Sequence, residues 1–274
     1  MSKVFVIDPS VCNGCHCCQI VCKDEHCGAD WLPYAKSQPD TGQFWRRVDE
    51  KVRGTIPKVK ISYLSHGCMH CDDCPLIDIA PDAVYKREDG LVIIDPEKAK
   101  GMRQLVEACP YDAVFWNEEH DIPQKCTGCA HLLDDGWDVP RCVDSCPHDA
   151  IRFGDEEDFR DEIAAGEVLK PEAGTNPRTY YLNLPKRFIA GCVIDSEADE
   201  VLIGATVTVQ NVATGEVIAV QTDDFGDFWF KEINPGEYNI FYQMDGYLLR
   251  TDRVDAISED KNVGYVSLYL NESL

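Results

Sequence analysis

The chain has 274 residues, and its 49 acidic side chains against 26 basic ones leave a net charge of −23. A field of that sign repels phosphate backbones, which excludes nucleic acid as a partner. The length allows two domains, and no run approaches the ~20 apolar residues of a transmembrane helix, so direct membrane insertion is not expected.

In chain order, the opening MSKVFVIDPSVC is a short apolar run broken by Asp8 and Pro9. It lacks the apolar stretch and small-residue cleavage site of a secretory signal, and it points to a reducing, cytoplasmic compartment. Fourteen of the fifteen cysteines follow between residues 12 and 146, and only Cys192 lies beyond them. Cysteines that recur in C-x-x-C steps in a reducing compartment are metal ligands rather than a disulfide framework.

The first group, CNGCHCCQIVC, sets Cys12, Cys15, Cys18 and Cys22 at x2, x2, x3 spacing. That places three thiolates on one tight loop and the fourth about 6 Å further along a helix that follows, at about 1.5 Å per residue. Three loop sulfurs hold three irons of a four-iron cube, while the fourth reaches a neighbouring cube, so the spacing predicts clusters in pairs. The second group, CMHCDDCPLIDIAP, supplies Cys68, Cys71 and Cys74 but has Ala80 where a cysteine before Pro81 is expected. The third, AKGMRQLVEACP, is its mirror image. Ala99, Met102 and Leu105 stand at the three loop positions, and only Cys109 before Pro110 survives. The fourth, CTGCAHLLDDGWDVPRCVDSCP, carries Cys126, Cys129, Cys142 and Cys146. By itself it also suits a four-cysteine zinc site.

If paired groups exchange their last ligands, erasing one cluster removes three loop cysteines from one group and the terminal cysteine from its partner. The second and third groups show that pair of losses. The expected ligand sets are therefore Cys12, Cys15, Cys18 and Cys146; Cys22, Cys126, Cys129 and Cys142; and Cys68, Cys71, Cys74 and Cys109. Three [4Fe-4S] clusters use twelve cysteines and leave Cys17, Cys27 and Cys192. Cys17 adjoins a ligand and is an alternative to one, whereas Cys27 and Cys192 are read as small apolar residues. His16, His70, His131 and His148 lie near ligands, but each cluster already has four sulfurs.

Four cysteine groups in this order, the last written C-x2-C-x12-C-x3-C-P, resemble the iron-sulfur subunit of the dimethyl sulfoxide reductase family of molybdopterin oxidoreductases. The resemblance covers residues 1–187, including LKPEAGTNPRTYYLNLP, which is similar to that family's extension after the last group. It implies a ferredoxin-like multi-cluster domain that exchanges electrons with a separate large catalytic subunit in a hetero-oligomer, a heterodimer at its simplest. The molybdenum bis-pterin guanine dinucleotide is expected on that partner. Relatives usually hold four clusters; here one is lost, and Cys74 stands two residues before the family's usual third ligand. By resemblance the lost cluster is the one farthest from the molybdenum, where electrons would pass to a membrane carrier.

From residue 188 to 274 the pattern changes to short alternating strands. Ala205, Val207 and Val209 share one face, as do Val266, Leu268 and Leu270, with turns at Thr214-Gly215, DDFGD, NPGEY and MDGY. An all-β sandwich follows, similar to the prealbumin and carboxypeptidase-regulatory-like type, which makes the whole chain α+β. Asp223, Asp224 and Asp227 are read as a hairpin turn rather than a calcium site.

No nucleophile with its base, no pair of acids and no Gly-rich phosphate loop is found, so bond chemistry belongs to the partner and no residue of this chain is catalytic. One lost cluster plus a sandwich resembles the small subunits of transhydroxylases in that family, which move hydroxyl groups between polyhydroxylated benzenes. The same chain in a reductase or dehydrogenase with an external carrier, and a cluster-stabilised scaffold, are the alternatives. Abundant negative charge favours oxidised clusters and low potentials. Anaerobically purified protein is expected to hold ~12 irons, three cubes of four; ~16 by iron analysis refutes the loss of one cluster.

Overall fold

An unbroken apolar run suits a strand covered on both faces, and Val4, Phe5, Val6 and Ile7 are all buried. The computed structural model describes residues 2–271 and divides into two units, Met1–Glu50 with Tyr63–Leu184, and Lys51–Ser62 with Pro185–Leu274. The elements from the N-terminus to Tyr181 are β1 (Lys3–Ile7), α1 (Cys17–His26), β2 (Arg47–Thr55), β3 (Lys58–His66), α2 (Pro75–Ile79), β4 (Val84–Lys86), β5 (Val92–Ile94), α3 (Gln104–Glu107), β6 (Val114–Asn117), β7 (Ile122–Lys125), α4 (Ala130–Asp134), α5 (Arg141–Asp144), β8 (Ile151–Asp155), α6 (Arg160–Ala165) and β9 (Thr179–Tyr181).

In the first unit β1 is the central strand of a three-stranded sheet, antiparallel to β8 and parallel to β9. The remaining strands pair as the hairpins β2–β3, β4–β5 and β6–β7. The helices are short, and most of the cysteine groups run through loops and helix starts between these strands. Their sulfurs are part of the core itself. Cys18, Cys22, Cys68, Cys71, Cys126 and Cys142 pack in one buried cluster with Phe5, Ile7, Met69, Leu91, Phe153 and Tyr181.

The second unit adds β10 (Arg187–Asp195), β11 (Thr206–Asn211), β12 (Val217–Gln221), β13 (Asp227–Ile233), β14 (Glu237–Gln243), β15 (Arg250–Asp255) and β16 (Lys261–Leu268). They form sheets of order β13-β10-β16 and β12-β11-β14-β15, whose apolar faces share one core. Ala205, Val207 and Val209 face that core fully buried, as do Val266 and Leu268. Leu270 departs from the expected alternation. β16 ends at Leu268, and Leu270, past the strand and in a lone bridge to Tyr247, is 45% exposed. The tip of the β2–β3 hairpin belongs to this unit. There the buried Arg53 Nη1 meets Asp260 Oδ1 at 3.4 Å, and Asn262 Nδ2 donates to the Thr55 carbonyl at 3.1 Å. Asp223 caps its turn, its Oδ1 accepting from the amides of Phe225 at 2.9 Å and Asp227 at 3.0 Å, while Asp227 pairs with Lys58. Those bonds are what a hairpin turn needs.

Among the described residues no helix is long and apolar enough to cross a membrane. Ile240 lies at the centre of the second core, fully buried. Ile240→Ala is expected to lower the unfolding free energy by about 2–5 kcal/mol in denaturant titrations followed by circular dichroism, with the iron content unchanged.

Candidate metal centres

A loop can point several sulfurs inward only by turning sharply, and the turn residues are visible in the backbone. Two positions after the first cysteine of each loop the chain enters the left-handed region, at Gly14 (φ 72°), His70 (φ 47°) and Gly128 (φ 67°). There the amide turns back on the sulfur. The His70 and Gly128 N–H groups donate to Cys68 and Cys126 Sγ, each at 3.4 Å, and at Cys12, where burial raises the thiol, the Gly14 amide opposes the rise. Gly14 is needed twice over, because a Cβ there would also lie 2.4 Å from the Tyr63 ring. The terminal cysteines share a second turn, with Asp112 (φ 52°) after Cys109 and Asp149 (φ 50°) after Cys146.

The structure brings the expected sets together. Cys12, Cys15, Cys18 and Cys146 line one small pocket with Ser65, His16 and His148; Cys18 Sγ is 3.7 Å from Ser65 Oγ. Cys18 and Cys22 lie one turn apart on α1, both buried, yet Cys22 faces other partners. Burial pushes its thiol well up, and Cys126 and Cys142 push it further. Cys129 is raised by burial and then by Cys142, Cys22 and Cys126. In the remaining set, burial raises Cys71 to about 12; the Thr175 hydroxyl opposes the rise, and Cys68, Cys74 and Cys109 add to it. Cys109 is raised by burial and then by Cys68, so the isolated cysteine before Pro110 stands beside the loop that begins at Cys68.

The erased positions also meet. Ala80 from the second group and Ala99, Met102 and Leu105 from the third pack in a single apolar core with Leu76, Val84, Ile94 and Val114. Gly101, two residues after Ala99, keeps the left-handed turn at φ 76°. Its amide donates to the Asp121 carbonyl at 2.8 Å, where the other loops have a sulfur. The polypeptide turn persists, and apolar side chains fill the place of the ligands.

The cysteines outside the sets have separate surroundings. Cys27 Sγ bonds Asp40 Oδ1 at 3.2 Å, and Cys192 Sγ meets the Phe225 carbonyl at 3.4 Å in the second unit. Cys17 is raised chiefly by its hydrogen bond with Cys15, beside the first set. Of the histidines, His70 accepts the Val92 amide on Nδ1 at 3.0 Å, and His131 Nε2 faces Glu25 at 3.0 Å.

Three neighbours of the sulfurs carried no signal in the sequence. His26 closes on Cys129 Sγ at 4.0 Å, and burial, with His131 and Lys23, brings its pKa down to about 3, so it is neutral. Lys125 is buried, its Nζ held by the carbonyls of Val92 and Cys126. Arg46 is 1% exposed. Burial would lower its pKa, but Cys142, Cys126, Tyr181 and Cys18 together raise it well above the ordinary value.

Four thiols per set, several with an amide on sulfur, suit a four-iron cube, which supplies one-electron transfer when bound. Among the described residues no three His, Cys, Asp or Glu side chains converge as one metal ion requires, and a cube, which gives every sulfur its own iron, asks for no such convergence.

Comparison with known proteins agrees in kind. A 4Fe-4S dicluster domain matches residues 59–156 and a carboxypeptidase regulatory-like domain residues 189–267. The pyrogallol hydroxytransferase small subunit of Pelobacter acidigallici is 38% identical over 96% of this chain and 98% of its own. A tetrathionate reductase subunit of Salmonella typhimurium is 35% identical over 68% of this chain and 74% of its own. A putative dimethyl sulfoxide reductase iron-sulfur subunit of Halobacterium salinarum is 33% identical over 72% and 86%. Cys109→Ser is expected to remove or alter one cluster, seen as lost iron and a changed paramagnetic spectrum, whereas Cys192→Ser leaves both untouched; equal damage from the two refutes the ligand sets.

Proposed function

Since this chain belongs to the iron-sulfur subunits of the dimethyl sulfoxide reductase family of molybdoenzymes, which transfer electrons for a catalytic chain, we propose that it serves a transhydroxylase acting on polyhydroxylated benzenes such as pyrogallol. The observation that carries this reading is the extent of the likeness to the pyrogallol hydroxytransferase small subunit, which runs through both units of this chain and to within 2% of the relative's full length. The tetrathionate reductase subunit leaves about a third of this chain unmatched.

In this reading the large subunit holds the molybdenum bis-pterin cofactor and performs the bond chemistry. Three clusters in this chain, on the ligand sets above, stand by as an electron reserve. Moving a hydroxyl between two benzenes needs no net oxidation, so the wire has no use for an end that meets an external carrier. In this reading the apolar core around Ala99 and Leu105 stands in for that end. The clusters then poise or reactivate the molybdenum without cycling at every turnover, in a cytoplasmic complex.

A second reading has support in the first unit. The sulfur-binding half is shared with the tetrathionate reductase subunit, so a reductase or dehydrogenase that works with a soluble carrier remains a competitor.

Copurification is expected to bring a molybdenum-bearing large chain, and the complex is expected to convert pyrogallol to phloroglucinol with no added electron donor or acceptor. A complex that turns over only with an external carrier favours the second reading. In single-turnover spectroscopy, cluster oxidation and reduction at the turnover rate contradicts a standby role.

A further inference from the structure

A guanidinium held out of water without a counter-charge is costly. Arg46 is such a group. It is 1% exposed, and Nε, Nη1 and Nη2 all lack a hydrogen-bond partner of regular geometry. Among the described residues no carboxylate pairs with it, although the chain carries 49 acids. Its surroundings fix its place instead. The guanidinium carbon lies 5.0 Å from the centre of the Phe5 ring, and a Cβ on Gly67 would come within 3.4 Å of it. Phe5 packs in one core with Cys18, Cys126, Cys142 and Tyr181, and the groups that raise the Arg46 pKa are Cys142 and Cys126 of one ligand set, Tyr181, and Cys18 of another. In return it opposes the effect of burial on Cys18, Cys22, Cys126 and Cys142.

We propose that Arg46 is the shared counter-cation of the two clusters held by Cys12, Cys15, Cys18 and Cys146 and by Cys22, Cys126, Cys129 and Cys142, and that it raises the reduction potential of both. The proposal rests on those ligand sets. A four-iron cube with four thiolates is an anion in either redox state, and it gains one further negative charge on reduction. A fixed buried cation stabilises the reduced form more than the oxidised one, and at a buried site the attraction is screened less than at the surface. The exposed acids act the other way through solvent, and their pull is correspondingly weakened. Arg46 is thus a positioning residue for charge: it lies over Phe5 in the core that holds the sulfurs, holds no iron, and sets how readily two adjacent clusters accept an electron.

The test uses the complex as purified, with redox titration followed by electron paramagnetic resonance. Arg46→Gln is expected to shift the oxidised-to-reduced equilibrium of two clusters tenfold or more toward oxidation, a fall of about 59 mV for a one-electron couple, and to leave the third cluster nearly unchanged. Arg46→Lys is expected to restore most of the potential. Arg160→Gln removes an equal charge from a side chain that is 72% exposed and is expected to move no potential. Unchanged potentials in Arg46→Gln at full iron content overturn the proposal, as does an Arg46→Lys protein that behaves like Arg46→Gln. Where Arg46→Gln fails to retain iron, retention in Arg46→Lys supports the counter-cation role, and loss in both overturns it. Failure of the ligand sets shows separately, in the iron content of the unaltered protein.

Discussion

A thiol buried among apolar side chains does not ionise unaided, and the first unit is organised around that constraint. Burial raises nine sulfurs of the three sets, Cys71 to about 12 and Cys142 to about 11, so the thiolate form that an iron needs must be stabilised from outside the sulfur. Part of the stabilisation is the metal itself, and part is built into the chain. Amides at His70 and Gly128 point at the first sulfur of their loops, and the left-handed backbone at those positions is what turns them there. The same constraint explains why so much of the core is sulfur. A cluster with its ligands fills the space that apolar side chains fill elsewhere.

The third group shows the converse. Once its loop cysteines are replaced by Ala99, Met102 and Leu105, the space closes into an ordinary apolar core with Leu76 and Val84, and the turn at Gly101 continues to direct the chain. Cys109, by contrast, lies near Cys68 and Cys74, which add to the rise that burial gives its thiol. The left-handed turn at Gly101 and the apolar packing of Ala99, Met102 and Leu105 lie between the β4–β5 and β6–β7 hairpins.

Charge is divided by depth. The surface is strongly acidic, yet Arg46 and Lys125 are buried beside the sulfurs. Counting residues suggests low-potential clusters throughout, whereas the buried cations act at shorter range and through less solvent. Lys125 is held by two carbonyls, one of them that of Cys126, and is satisfied locally. Arg46 has no such partners, which leaves its charge to the sulfurs.

Much of the candidate site was legible in the chain because ligand spacing is a local property: three thiolates within seven residues specify a loop before any tertiary structure exists. The expectation that terminal cysteines cross between groups came from the same kind of signal, the matching gaps at Ala80 and at Ala99, Met102 and Leu105. The sandwich strands announced themselves by alternation, except at Leu270, where the strand ends two residues early and the pattern continues without a sheet to enforce it. Only the tertiary structure decided which remote groups attend the sulfurs. His26, Lys125 and Arg46 reach them from ordinary-looking stretches, since a lone charged or aromatic residue has no period and no spacing to read. The tip of the β2–β3 hairpin likewise joins the second unit through Arg53, Asp260 and Asn262, contacts between residues some two hundred positions apart. Local geometry is written in neighbouring residues; the electrostatic surroundings of a buried centre exist only once distant segments have folded over it.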